Sequence, residues 1–256
     1  MDGSIGLKSV SLIAVTITVL SLFSGIANAL PLRIAQSEWA PYVMDSPIGR
    51  GIAHDIVMQG LSNSGYQFIY EQKPWPRVLK ETFYGKNDVI IAIWKSDDRE
   101  RHYYFTEPYL NNTLTVISRM SDTPFEYEDL TSLNDKRVAL IEDYAYPSEL
   151  LAHSKMLPIP SDSLSTSLRM VLSNRADVLI TDEFVARWMI KEMNLPINKF
   201  QFSAEPFSFT PLHVAVRKDH PYAQQIVYNL NYYFRNLSRL HIELLKIKYG
   251  LSLSGQ

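Results

Sequence analysis

Residues 85–109 read GKNDVIIAIWKSDDRERHYYFTEPY. The run Val89 to Trp94 is apolar without alternation and short, which predicts a strand buried on both faces. The charged turn Lys95 to Arg101 follows, then the aromatic stretch His102 to Phe105, closed by Thr106-Glu107-Pro108-Tyr109. Arg99 stands just past the C-terminal end of the strand. Its guanidinium carries five donors in a rigid fork that suits a planar carboxylate. Ligands of open α/β sheets gather at that end of the strands. A solvated charge within the Lys95 to Arg101 run is the competing reading.

Outward from this stretch, the pattern on the N-terminal side is β-α-β-α. Leu32 to Ala35 forms a short strand and opens into the aromatic loop Gln36 to Tyr42. Ile52, Ile56, Val57 and Leu61 recur at helical spacing, with Gly65 just beyond. Tyr66 to Tyr70 reads as a strand. Pro76 starts a helix whose inward face holds Val78, Leu79 and Phe83. On the C-terminal side Leu114 to Ile117 is strand-like, and Met120 to Asn134 is polar and irregular. A second series then begins with the strand Arg137 to Ile141 and a short helix around Glu149 to Leu151. The extended piece Leu157 to Pro160, a helix through Leu164, Leu168, Val171 and Leu172, and the strand Asp177 to Ile180 follow. Asp182 heads a helix carrying Val185, Trp188 and Met189. Phe207 to Val216 is extended, and two amphipathic segments, Tyr222 to Leu237 and Leu240 to Ile247, complete the chain. Two β-α series joined by strands predict two lobes facing each other across a cleft.

The chain has 256 residues, enough for one large domain or two modest ones. Its 25 basic and 27 acidic side chains are interspersed, which gives no basic face for nucleic acid. It has no cysteine, so disulfides, thiol catalysis and cysteine-held metals are excluded. The six histidines form no ligand cluster, and no phosphate-cradling glycine loop or catalytic-triad motif occurs, so no metal, cofactor or catalytic residue is expected. Lys8, the apolar stretch Val10 to Phe23 and Ala27-Asn28-Ala29 have the order of a signal peptide cleaved after Ala29. The rest is therefore expected to be exported to the periplasm.

Asp182 faces two readings: a helix N-cap, or a carboxylate for an ammonium group. Trp39, Tyr42, Trp75 and Trp94 are candidate cleft walls and, equally, candidate core.

The ordered elements Asp88-Val89-Ile90-Ile91-Ala92, Ser96-Asp97-Asp98-Arg99, Phe105-Thr106-Glu107-Pro108-Tyr109, Gly51 to Ile56, Asp177 to Asp182 and His213 to Asp219 resemble those of the bacterial periplasmic solute-binding proteins of family 3, typified by polar amino-acid receptors. The resemblance covers almost all of the chain after residue 29. It implies the type II periplasmic binding fold: α/β, each lobe a mostly parallel sheet flanked by helices, with the ligand cleft between the lobes. Lobe 1 is expected over 30–112 and 214–256 and lobe 2 over 113–213, with crossings near Thr113 to Val116 and Phe209 to Val214.

The resemblance also implies that Arg99 binds an α-carboxylate and Asp182 an α-amino group. Trp75 would stand on one side of the pocket with Trp39 and Tyr42 opposite, and Ser96 and Tyr144 nearby. Two departures from the family pattern bear on the ligand. Trp94 replaces a small hydroxyl residue, and Asp143-Tyr144-Ala145-Tyr146 replaces a glycine followed by hydroxyl residues. The expected function is capture of a small polar solute, an amino acid or related carboxylate, by a monomer that closes its cleft and delivers to an inner-membrane ABC permease. The alternatives are an exported dehydratase-like enzyme, with Glu142, Asp143 and His54 as suspects, and a sensory or ligand-free module.

Overall fold

A computed structural model describes residues 30–121 and 125–251. The signal-peptide reading of residues 1–29 lies outside them. Twenty elements follow in order. They include strands β1 (Leu32–Gln36), β2 (Phe68–Gln72), β3 (Val89–Trp94), β4 (Tyr103–Phe105) and β5 (Leu110–Arg119). Further on come β6 (Arg137–Ile141), β7 (Leu157–Ser161), β8 (Val178–Asp182), β9 (Phe200–Phe202) and β10 (Ser208–Arg217). The helices are α1 (Ile52–Asn63), α2 (Trp75–Phe83), α3 (Asp97–Glu100), α4 (Ser148–Leu151), α5 (Leu164–Leu172), α6 (Glu183–Glu192), α7 (Ala223–Asn236) and α8 (Arg239–Tyr249). Two 3-10 turns, Leu130–Leu133 and Ile197–Lys199, complete the order.

All strands join one sheet in the order β2-β1-β3-β10-β5-β8-β6-β7, with β4 on β10 and β9 on β5. Its two outer parts are parallel: β1 pairs β2 and β3, and β6 pairs β7 and β8. All six side chains of β3 are buried, as the unbroken apolar run requires. The middle is antiparallel. The first half of β10 (Ser208–Leu212) pairs the first half of β5 (Leu110–Leu114). From there β5 continues along β8, and β10 continues along β3. β10 thus belongs to one part and β5 to the other, and the pairing of their first halves joins the two.

The two parts are braced alike where their strands begin. The Asp88 carboxylate accepts the backbone N–H of Arg33 (2.9 Å) and its Nε (3.0 Å) and Nη2 (2.7 Å). Arg217 Nε adds a fourth bond at 2.9 Å. Burial alone would raise the Asp88 pKa, but these donors hold it below the usual carboxylate range. In the other part Asp177 accepts the N–H of Arg137 (2.8 Å), its Nε (3.2 Å) and its Nη2 (2.7 Å). The register is the same, since Ile34 pairs Val89 and Val138 pairs Val178.

Most element types match the sequence reading, and the departures have physical reasons. β5 runs from Leu110 to Arg119, longer than its apolar stretch Leu114 to Ile117. Its first residues pair β10 where cover is thin, so Asn111 stays exposed. β2 starts at Phe68, two residues later than Tyr66. The short strands β4 and β9 carry no alternation to reveal them, and each forms by adding onto one end of a longer strand.

Candidate functional site

The C-terminal ends of β1, β2, β3 and β6, the turn after β7 and helix α6 line a cavity of about 780 Å³. Its wall includes Trp39, Trp75, Trp94, Arg99, Tyr144 and Trp188. The size suits a small molecule, within the roughly 300–1,000 Å³ usual for such sites. Gln36 stands at the end of β1 and ties the wall to β3, its amide accepting Ala92 N–H (3.1 Å) and donating to Ala92 O (3.0 Å).

Arg99 is positioned by a very short helix. Past β3 the chain turns at Ser96, whose hydroxyl accepts the Arg99 N–H at 3.4 Å as the N-cap of α3. The guanidinium then folds back to the top of β3. Nη1 donates to Trp94 O (2.6 Å) and Nη2 to Asp143 O (2.7 Å). Trp75 Nε1 donates to the same Asp143 carbonyl at 3.3 Å, and the Trp75 ring lies 5.4 Å from the guanidinium carbon. Both hydrogen bonds that the guanidinium makes among the described residues end on neutral carbonyls. Burial draws its pKa down to about 10, which leaves it charged at neutral pH.

Three aromatic rings form the back wall. The Tyr144 ring meets Trp94 edge-on at 5.1 Å, Trp94 meets Trp39 edge-on at 5.6 Å, and Trp39 lies 6.4 Å from Tyr144. Edge-to-face packing of this kind follows from the ring quadrupoles. The other cation on the wall, Lys73, is already paired with Glu71 (2.7 Å) and Glu81 (2.8 Å). Five carboxylates line the wall: Glu38, Glu142, Asp143, Asp162 and Glu192.

Of the eight side chains singled out from the sequence, Arg99, Trp75, Trp39, Trp94 and Tyr144 line the cavity, and Asp182, Tyr42 and Ser96 do not. Ser96 is spent as a cap. Asp182 is fully buried behind the wall and caps α6, its Oδ1 accepting Val185 N–H at 2.9 Å. Its Oδ2 accepts Tyr42 OH (3.0 Å) and Asn112 Nδ2 (2.9 Å). The resemblance implies that Asp182 meets a ligand ammonium group; in this structure three donors and complete burial occupy the carboxylate. His54, an enzymatic suspect, packs edge-on against Tyr70 and lies 3.3 Å from Asp55, away from the cavity. Sequence reasoning missed Trp188, Met189 and Glu192 as wall residues. Trp188 and Met189 share α6 with the buried Val185, Ala186 and Ile190 and read as part of its inward face, and Glu192 carried no signal of its own. Among the described residues no group of three His, Cys, Asp or Glu side chains is arranged to hold a metal ion.

A model of the bacterial extracellular solute-binding proteins, family 3, matches residues 32–231. The chain belongs to this family. No curated protein matches the chain. Similar solved structures include an ancestral arginine-binding protein bound to arginine, 19% identical with a TM-score of 0.71, covering 86% of this chain and 97% of that one. Holo ArgBP from T. maritima is 19% identical with a TM-score of 0.67, over 84% and 95%. A histidine kinase sensor domain with similarity to periplasmic binding proteins is 17% identical with a TM-score of 0.72, over 86% and 96%. At these identities the likeness shows the two-lobed α/β fold. As a family 3 member the chain is a ligand-binding protein, and β5 and β10 are the strands that run between the two parts of its sheet.

Proposed function

We propose that this protein is an exported receptor that captures a small solute bearing a carboxylate, an amino acid or a close relative, in the cavity beside Arg99. The observation that carries this reading is the Arg99 guanidinium. It is held at the wall by two neutral carbonyls, and its remaining donors are available to an anion. The five wall carboxylates supply the countercharge for an ammonium end, in place of Asp182. The edges of Trp39, Trp94 and Tyr144 close the back of the site and limit how far a solute side chain reaches.

In this reading lobe 1 comprises 30–112 with 214–256, lobe 2 comprises 113–213, and β5 and β10 carry the crossings. A solute touching both lobes shifts them toward the closed form by its differential affinity for that form. The protein acts as a periplasmic monomer without turnover or cofactor, and an inner-membrane ABC permease receives the solute. The similarity to a histidine kinase sensor domain supports a second reading, in which the closed form signals instead.

Titration calorimetry with a panel of amino acids and small carboxylates tests the proposal. At least one compound should bind the purified protein, and Arg99→Ala should abolish its heat. Equal binding by that variant contradicts the carboxylate assignment, and consumption of the compound contradicts the receptor reading.

A further inference from the structure

Behind the cavity wall lies a buried chain of polar groups that the ligand contacts do not use. Trp94 Nε1 donates to Asn112 Oδ1 at 2.7 Å, and Asn112 Nδ2 donates to Asp182 Oδ2 at 2.9 Å. Tyr42 OH donates to the same oxygen at 3.0 Å. Trp94 is 4% exposed, Tyr42 1%, and Asn112 and Asp182 not at all. The groups come from four places: the end of β3, the loop after β1, the end of β8, and β5. Asn112 sits two residues before Leu114, the partner of Asp182 in the β5–β8 ladder, so both β5 side chains face the same side.

We propose that Asp182 and Asn112 are positioning residues, which fix the Trp94 indole as the wall of the cavity and so tune what the cavity accepts. The inference rests on the reading of that cavity as the solute site. The chemistry of the groups gives the chain one direction. An indole N–H only donates, so the Asn112 oxygen must face Trp94 and its NH2 must face Asp182. An NH2 can be satisfied there only by an acceptor, and the ionised carboxylate is acceptor-only. Swinging Asn112 the other way would set NH2 against indole N–H, leaving both donors unsatisfied, and would turn its oxygen against the Asp182 carboxylate, which would keep only Tyr42 and Val185 as donors. Asp182 thereby holds the Asn112 amide, and the amide holds the ring.

The groups facing Asp182 are Tyr42 from the loop after β1, Asn112 from β5, Tyr144 from the loop after β6, and the backbone N–H groups of Phe184 and Val185 at the head of α6. Burial raises the Asp182 pKa to about 6 against the pull of these donors. Burial, then Asp182 itself, pushes the Tyr42 hydroxyl well above its ordinary value, so it stays a donor. A proton on Asp182 Oδ2 competes with the Asn112 and Tyr42 donors for one oxygen and loosens the chain.

The test follows the four indole N–H signals of the uniformly 15N-labelled full-length protein by NMR, with Trp94 assigned through Trp94→Phe. The Trp94 signal should move with pH through about 6, and Asp182→Asn should abolish that movement while the Trp188 signal stays fixed. Asn112→Leu should shift the Trp94 signal to the position of an unbonded indole, with circular dichroism unchanged. A Trp94 signal indifferent to pH and to both substitutions overturns the proposal. For any panel compound that binds the wild type, Asp182→Asn should weaken binding by about fivefold, the size of one net hydrogen bond; unchanged affinity removes the tuning role. If no compound binds but the indole signal responds, the solute assignment fails and the positioning role stands.

Discussion

The two parts of the sheet begin alike and end differently. At the start of β3 and of β8 an aspartate, Asp88 or Asp177, receives the backbone N–H and the guanidinium of an arginine on the neighbouring strand. This brace locks the parallel register in both parts. At the other end β3 presents Trp94 and, one turn on, the Arg99 guanidinium to the cavity. β8 instead turns its last carboxylate inward, where Asp182 meets Asn112, Tyr42 and the head of α6. The same strand-end chemistry thus gives a half-buried cation at the cavity wall in one part and a fully buried anion in the other. The lesson is that register is set where strands begin, while function is set by which way the side chain at the end of the strand points.

The braces are alike but not equal, and substitution should expose the difference. The Asp88 side chain is 4% exposed and serves two arginines, whereas that of Asp177 is 32% exposed and serves one. Asp88→Ala leaves Arg33 without its anion and Arg217 with only the exposed Asp219 at 2.7 Å, and should cost about 3 kcal/mol in urea unfolding. Gly51→Ala should be next. Gly51 has φ of 100°, and a Cβ there would fall 2.3 Å from the Tyr42 carbonyl oxygen, so the loop carrying Tyr42 must shift. A loss of about 2 kcal/mol with a displaced Trp94 indole signal is expected.

The strand ends should respond to pH. The Asp182 pKa is raised from 3.8 to about 6, so the folded protein holds this proton more tightly than the unfolded chain. The stability it contributes is complete below pH 3.8 and is lost as pH rises through about 6. Relative to Asp182→Asn, the wild type should therefore gain on the order of 2–3 kcal/mol between pH 7 and pH 4, measured by parallel denaturant titrations. A gain in the opposite direction would place a cation beside Asp182. The smallest brace effect is expected from Asp177→Ala, about 1 kcal/mol by the same unfolding measurement, because water screens its half-exposed partner. A cost equal to that of Asp88→Ala would erase the distinction between the two parts.

The fold was legible because its strongest signals are local. The unbroken run Val89 to Trp94, the periodicity of Ile52 to Leu61 and the β-α rhythm each name an element without reference to the rest. The half-covered first residues of β5 and the short strands β4 and β9 were not, since they exist only through pairing with distant strands. The site was legible in part. Arg99, Trp94 and Tyr144 line the cavity, while Asp182 caps α6 behind it. Whether a carboxylate at a strand end faces a cavity or its own core depends on partners such as Asn112 and Tyr42, which lie 70 and 140 residues away in the chain. No local pattern reports that.

The most direct test is the structure of the complex with a bound panel compound. A carboxylate of that compound should be hydrogen-bonded to Arg99, with Asp182 still joined to Asn112 and Tyr42 behind the wall. A ligand whose ammonium group is held by Asp182, or whose carboxylate lies away from an Arg99 still joined to the Asp143 carbonyl, would contradict it.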